Sequence, residues 1–138
     1  MHFGGVEGGA THSMFMVCDA QANVLATVSG PGTNLFQLGL DETCHRVKGM
    51  VKEGLESAGL SPDITLEGLG LSLSGCEVDE VNKQLADKFK ELYPGKSLIT
   101  DMSVQRGING GAWILKLVIL GSFLIFSMPF KVFGIYPP

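Results

Sequence analysis

The chain has 138 residues, of which 45% are hydrophobic and 17% are charged, and its formal net charge is -4. This length is that of one domain of ordinary size. The acidic balance and the apolar content exclude a basic nucleic-acid-binding domain and a disordered chain. Three cysteines without CxxC spacing exclude a disulfide scaffold and a zinc site. Because the sequence also lacks the pattern of a signal peptide, we predict a cytoplasmic protein.

The charge is distributed unevenly along the chain. Residues 1–111 carry eight basic and fourteen acidic side chains, a net charge of -6. Residues 112–138 carry only Lys116 and Lys131, and 18 of their 27 positions are apolar. We therefore predict two parts, an acidic lobe over residues 1–101 and an unlike hydrophobic tail over residues 102–138.

Hydrophobic patterning predicts seven elements in the acidic part and at its end. Three strands, at residues 3–7, 13–18 and 24–28, are separated by short turns, which is typical of an antiparallel meander. A helix over residues 41–58, a strand at 69–73, a helix over 79–92 and a strand beginning at 98–100 follow. The order β-β-β-α-β-α-β predicts an α/β fold with parallel strands on one side of the sheet, and it differs from the alternating pattern of a Rossmann unit.

The turn between the first two strands carries the first candidate site. Gly8 and Gly9 bring little side-chain bulk, so backbone N–H groups there can approach an anion, and the Thr11 hydroxyl can donate to a phosphate. Glu7, at the end of the strand, is a candidate to hold the water shell of a metal ion. The same residues also fit an ordinary hairpin turn.

Other candidate residues follow later strands. Asn34 lies in a loop after the third strand, where it can bind a ligand or stabilise its own turn. Asp101 follows the apolar residues 98–100 and can act as a general base or cap a helix. Ser72 and Ser74 fit packing and turn roles better than a place in the same site.

Four blocks follow one another along the chain. They are Gly4-Gly5-Val6-Glu7-Gly8-Gly9-Ala10-Thr11-His12-Ser13, Gly32-Thr33-Asn34, Leu69-Gly70-Leu71-Ser72-Leu73-Ser74-Gly75 and Leu98-Ile99-Thr100-Asp101. In this order they resemble the N-terminal domain of animal N-acetylglucosamine kinase. That family belongs to the sugar-kinase, heat-shock-protein and actin superfamily and has a BadF/BadG-type ATPase domain. The resemblance covers residues 3–101 and implies a ribonuclease-H-like, actin-like ATPase lobe.

The resemblance also implies an activity, phosphorylation of N-acetyl-D-glucosamine at its 6-hydroxyl by ATP with Mg²⁺. Gly8, Gly9 and Thr11 match the first phosphate loop of the family, and Asn34 matches the asparagine that binds the sugar. Asp101 matches the catalytic base, although the family has one more residue before its aspartate. The partners implied are the sugar and ATP, with a homodimer as in the family.

From Met102 onward the resemblance ends, and the second phosphate loop and adenosine-binding segment of the family are missing from the sequence. We therefore expect a truncated form with little kinase activity, arising from an altered transcript. The alternatives are a non-catalytic interaction or membrane-tail protein that retains the first lobe, and another ATPase of the superfamily. Residues 112–128 are at the lower length limit of a membrane span. We favour a non-native, aggregation-prone tail over a membrane anchor.

Overall fold

The computed structural model describes residues 1–76, 78–92 and, for the backbone, 102–106. The element order is the predicted β-β-β-α-β-α-β, and the mixed α/β fold class is confirmed. The seven elements are β1 (His2–Gly8), β2 (His12–Asp19), β3 (Val24–Pro31), α1 (Leu35–Ser57), β4 (Gly68–Leu73), α2 (Asp79–Glu91) and β5 (Met102–Arg106).

The five strands form one sheet in the order β3-β2-β1-β4-β5. The first three strands are an antiparallel meander, and β1, β4 and β5 run parallel, as the strand spacing predicts. Register places Gly8 beside Leu73 and Leu73 beside Arg106, so the parallel strands end at one edge of the sheet. Loops that follow these strands therefore meet at this edge.

Both helices lie on one face of the sheet, which we call the helix face. Helix α1 connects β3 to β4 and α2 connects β4 to β5, and right-handed crossovers in one direction share a face. Phe15 of β2, Leu55 of α1 and Phe89 of α2 belong to the single large core formed there. Gly54 of α1 is buried because the ring of Phe15 packs where its Cβ would be.

Helix α1 begins at Leu35, six residues before the predicted start. Gly39, with φ at +77°, interrupts the helical backbone, so Leu35–Leu38 forms a separate first turn and the amphipathic pattern is regular only beyond it. Asn34 is the N-cap of this turn, since its side-chain oxygen accepts a hydrogen bond from the amide of Gln37 at 3.1 Å. The helix thereby brings Asn34 to the edge of the sheet.

Two strands differ from their predicted bounds. β3 continues to Pro31 through residues predicted as loop, because an edge strand tolerates a proline that cannot donate to the ladder. The predicted strand at 98–100 lies outside the described residues, and β5 is formed by Met102–Arg106. There Met102 and Val104 alternate with polar residues in the period-two pattern of a strand. In the described ranges, no helix is long and apolar enough to cross a membrane.

Candidate functional site

Three loops meet at the edge where the parallel strands end. Thr33 N–H donates to the carbonyl of Gly9 at 3.0 Å, and Ser74 N–H donates to the carbonyl of Gly8 at 2.8 Å. Leu35 N–H, at the start of α1, donates to the carbonyl of Ser74 at 3.0 Å. We call residues 8–11, 32–34 and 74–75 together the loop edge. Three of the four sequence blocks are thus joined by backbone hydrogen bonds.

The tip of the β1–β2 hairpin offers free hydrogen-bond donors. Gly9 N–H is engaged, because it donates to the carbonyl of His12 at 2.8 Å. Among the hydrogen bonds of the described residues, none uses the amides of Ala10 or Thr11, whose side chains are exposed. Backbone amides without a partner beside a hydroxyl can donate hydrogen bonds to an anion. The donors are therefore Ala10 and Thr11, which the glycine pattern alone does not indicate.

Two glycines of the loop edge are required for close packing. A Cβ on Gly8 would collide with the hydroxyl of Thr33 and lie 2.6 Å from Leu73 Cδ2. A Cβ on Gly32 would collide with the carbonyl of Ala10. Gly8 is buried, so its role is to allow close packing of the loops. The residues that follow it are the ones that can contact an anion. No local sequence pattern indicates the role of Thr33, because its partners Ser13 and Gly9 are distant in the chain.

Asn34 has a structural role and one unused donor group. Its Oδ1 caps α1, which is the turn-stabilising role that the sequence leaves open. Gly75, with φ at +82°, lies against this cap, and a Cβ on it would be 2.8 Å from Asn34 Oδ1. Within the described part of the chain, no hydrogen bond involves Asn34 Nδ2. The amide nitrogen of Asn34 is thus available to a ligand while the oxygen fixes its position.

Arg46 of α1 supports the loop from the side. Its Nη1 donates to the carbonyl of Gly32 at 2.8 Å, and its Nε lies 2.7 Å from Glu42 Oε1. The planar guanidinium forms both contacts at once. Arg46 therefore positions the loop that carries Asn34, a contact fourteen residues apart that sequence spacing does not reveal.

The two serines of the third block differ in their surroundings. Ser72 is buried within β4, as a packing role predicts. Ser74 is half-buried, and its Oγ is a buried atom without a hydrogen-bond partner among the described residues. A buried hydroxyl without a partner is unfavourable. Ser74 lies at the same edge as Ala10 and Thr11, and its hydroxyl is shielded from solvent there.

Glu7 lies one residue before the loop edge. Strand alternation places it beside Met14 and Ser72, on the face opposite to Val6. Within the described ranges, no group of three or more His, Cys, Asp or Glu side chains could hold a metal ion. Mg²⁺ is commonly bound by one or two carboxylates together with phosphates and waters. A single carboxylate at this edge fits that pattern of coordination.

Asp101 lies outside the described residues. The predicted strand at 98–100 also lies outside the described residues, and the described strand β5 begins at Met102, directly after Asp101. Met102 pairs with Leu69, at the end of β4 opposite to the loop edge. The structure therefore brings Gly8, Gly9, Thr11 and Asn34 to one edge of the sheet. The role of Asp101 as the catalytic base stays a prediction.

A second concave region lies between α1 and α2. It encloses about 570 Å³, and Lys88 Nζ is 3.1 Å from Asp41 Oδ1 at its border. The hydrogen bond to Asp41 raises the pKa of Lys88. None of the predicted site residues lines this groove. The groove and the loop edge therefore have no residue in common.

The three cysteines are buried, as their interpretation as small hydrophobic residues predicts. Burial raises the pKa of Cys18, Cys44 and Cys76 to about 11 in each case. The neutral thiol therefore predominates at neutral pH, and none of the three has the lowered pKa of a nucleophilic cysteine.

No family model matches the sequence. The structure is similar to that of a protein from Chromobacterium violaceum described as a "putative N-acetylglucosamine kinase", with a TM-score of 0.57 and 25% sequence identity. The similarity covers 76% of this chain and 34% of that chain, so the chain spans about a third of the length of that protein. This chain has the fold of an actin-like ATPase N-terminal lobe. The fold implied by the sequence resemblance is thus confirmed.

Proposed function

We propose that this chain is the first lobe of an ATP-dependent sugar kinase, with N-acetyl-D-glucosamine as the substrate phosphorylated at its 6-hydroxyl. The observation that carries the proposal is the meeting of three loops at one edge, where backbone hydrogen bonds join the loops that carry Thr11 and Asn34. Similarity to a protein described as a kinase for this sugar supports the choice of substrate.

Each described residue has a definite task in this proposal. The amides of Ala10 and Thr11 and the Thr11 hydroxyl bind the phosphates of ATP, and Asn34 Nδ2 binds the sugar. Glu7 contributes to holding Mg²⁺ through its water shell. When bound, Mg²⁺ neutralises charge on the transferring phosphoryl group. The base that takes the proton from the 6-hydroxyl is proposed from the resemblance alone as Asp101, which lies outside the described residues and whose neighbour Met102 lies at the edge opposite to the loops.

The proposed lobe is only part of such an enzyme. Phosphoryl transfer depends on enclosing and orienting both substrates, so one lobe supplies a fraction of the catalytic effect. Because the chain spans about a third of the similar protein, we expect weak nucleotide binding and little transfer. The resemblance supports a lobe over residues 1–101, and the sheet takes in β5 (Met102–Arg106) beyond it.

The test is binding of Mg·ATP to the full chain, measured by saturation-transfer NMR. Thr11→Val removes the hydroxyl and keeps the side-chain shape, and we expect about tenfold weaker binding, as for the loss of a hydrogen bond to a charged group. Thr65→Val is the matched control, since Thr65 is exposed in the loop before β4. Absence of ATP binding at millimolar concentration, or equal loss in both variants, contradicts the proposal.

A coupled assay tests the activity itself. We expect ADP release that depends on N-acetylglucosamine to stay near background for the purified full chain. Rapid release would contradict the proposal that one lobe is insufficient, and it would leave the proposed kinase chemistry in place.

A further inference from the structure

The loop edge itself carries no cation that could balance a phosphate group. Residues 8–11, 32–34 and 74–75 include no lysine or arginine. Residues 1–111 carry a net charge of -6, which disfavours the approach of a polyphosphate anion. Arginine is well suited to phosphate recognition, because its hydrogen bonds to phosphate are assisted by charge. A cation supplied by the chain would therefore have to come from a neighbouring element.

Arg46 of α1 lies beside the loop edge. Its Nη1 donates to the carbonyl of Gly32 at 2.8 Å. A Cβ on Gly32 would collide with the carbonyl of Ala10 and lie 2.9 Å from the amide nitrogen of Thr11. With standard bond lengths, these contacts place Arg46 Nη1 no more than about 10 Å from the amide nitrogen of Thr11. A di- or triphosphate chain with a hydrogen bond of about 2.8 Å at each end spans this distance.

The Arg46 guanidinium has hydrogen-bond donors that remain unused. A guanidinium carries five N–H groups in one plane. Its Nε donates to Glu42 Oε1 at 2.7 Å, and one N–H of Nη1 donates to Gly32. Among the hydrogen bonds of the described residues, none involves Nη2. The side chain of Arg46 is 28% exposed, so the guanidinium is accessible to a ligand in solution.

We propose that Arg46 binds the phosphate chain of the nucleotide together with the amides of Ala10 and Thr11. The inference rests on the proposed function, which puts the phosphates at the hairpin tip. Glu42 and Gly32 hold the guanidinium in place before a ligand arrives, so little side-chain entropy is lost on binding. The ammonium group of a lysine lacks the planar arrangement of donors that serves Gly32, Glu42 and a phosphate at once.

A titration of the full chain with inorganic tripolyphosphate and Mg²⁺, at constant ionic strength, tests the inference. Tripolyphosphate is the phosphate chain of ATP without the nucleoside. The sequence has two arginines, Arg46 and Arg106, so the NMR spectrum of the guanidinium Nε–H groups contains two signals. The variant Arg46→Lys removes one signal and thereby assigns both. We expect the Nε–H signal of Arg46 to shift with the same saturation curve as the amide of Thr11.

Other results separate this inference from the proposed function. A shift at Thr11 without a shift at Arg46 would overturn the inference and leave the phosphate site in place. A shift at Arg106 in place of Arg46 would also overturn it, since the cation would then come from the end of β5. Absence of any shift at Thr11 and Arg46 would contradict the proposed function and the inference together.

The affinities of two variants that each remove one positive charge give a second measurement. Arg46→Gln should weaken the binding of tripolyphosphate about tenfold, as for the loss of a hydrogen bond to a charged group. Lys52→Gln removes the same charge from an exposed position on α1. It should change the affinity less than about twofold, because salt screens the interaction of exposed, distant charges. Equal affinities of the two variants would overturn the inference.

Discussion

The hydroxyl oxygens of Ser13 and Thr33 lie 2.8 Å apart and form a buried hydrogen bond between the start of β2 and the loop before α1. Thr33 also donates its amide to the carbonyl of Gly9 at 3.0 Å. One residue thereby fixes the hairpin and the Asn34 loop relative to each other. The geometry of the loop edge depends on this pair.

Thr33→Val removes the hydroxyl and leaves the buried Ser13 hydroxyl without its partner. We expect the free energy of unfolding, measured with denaturant, to fall by about 1–3 kcal/mol. Adding Ser13→Ala should cost less than the sum of the two single changes, because the interaction is already lost. Thr65→Val, on the surface, should stay within about 0.5 kcal/mol of the wild type. Additive losses in the double variant would contradict a direct interaction.

Two substitutions of glycine by alanine, Gly8→Ala and Gly49→Ala, are expected to change the stability of the fold in opposite directions. The added methyl group on Gly8 collides with Thr33 and Leu73, so stability should fall by about 1–3 kcal/mol. Nothing lies within 4 Å of the added group on Gly49, in the interior of α1. There alanine should stabilise by up to about 1 kcal/mol. Denaturant midpoints of the two variants check both signs, and equal shifts would contradict the packing at Gly8.

Stability should depend on pH through the buried thiols. Burial raises the pKa of Cys18, Cys44 and Cys76 to about 11, above the ordinary value of 9.0. The folded state therefore holds protons that the unfolded state releases. This contribution is complete below pH 9 and is lost as the pH rises through 11. Denaturant midpoints at pH 8 and pH 10.5 should show the loss, and a variant with all three cysteines replaced by alanine should lose less.

The turn between β2 and β3 is stabilised by Asp19. Its carboxylate accepts hydrogen bonds from Gln21 N, Asn23 N and Asn23 Nδ2, each at 2.9 Å. The side-chain hydrogen bond from Asn23 is the largest cause that lowers the pKa of Asp19 below its usual 3.8. This stabilisation is present above pH 3.8 and is lost as the pH falls through the lowered pKa.

Asp19→Ala should therefore lower the thermal midpoint at pH 7 and have a smaller effect at pH 2. Asp63→Ala, in the exposed loop before β4, is the control and should change little at either pH. An Asp19→Ala effect of equal size at both pH values would contradict a role of the carboxylate charge.

Much of the fold follows from local sequence patterns. The continuous apolar run in β2 identifies a strand inside a covered sheet, and the stripe through Cys44, Val47 and Val51 identifies a helix by its period. The start of α1 could not be predicted from the apolar pattern, because Gly39 interrupts that pattern. Only the cap at Asn34 marks the first turn. The bounds of β5 could not be predicted from the sequence either, because residues 98–100 and 102–106 both fit a strand.

The candidate site is less visible in the sequence than the fold. Gly8, Gly9, Thr11 and Asn34 are identified by resemblance to a family, and the structure brings them together. Thr33 and Arg46 hold the loops through contacts between residues distant in the chain, at Ser13 and Gly32. Such contacts depend on the register of the sheet, which no local pattern specifies.

The most direct test of the account is a Mg·ATP titration of the full chain followed by amide chemical shifts. If the hairpin tip binds phosphate, the amides of Ala10 and Thr11 shift most. The amide of Glu67 serves as a reference at the opposite edge, where it donates to the carbonyl of His2 at 2.8 Å. The account predicts saturable shifts at Ala10 and Thr11 with little change at Glu67. No shift at the hairpin, or larger shifts at the opposite edge, would contradict it.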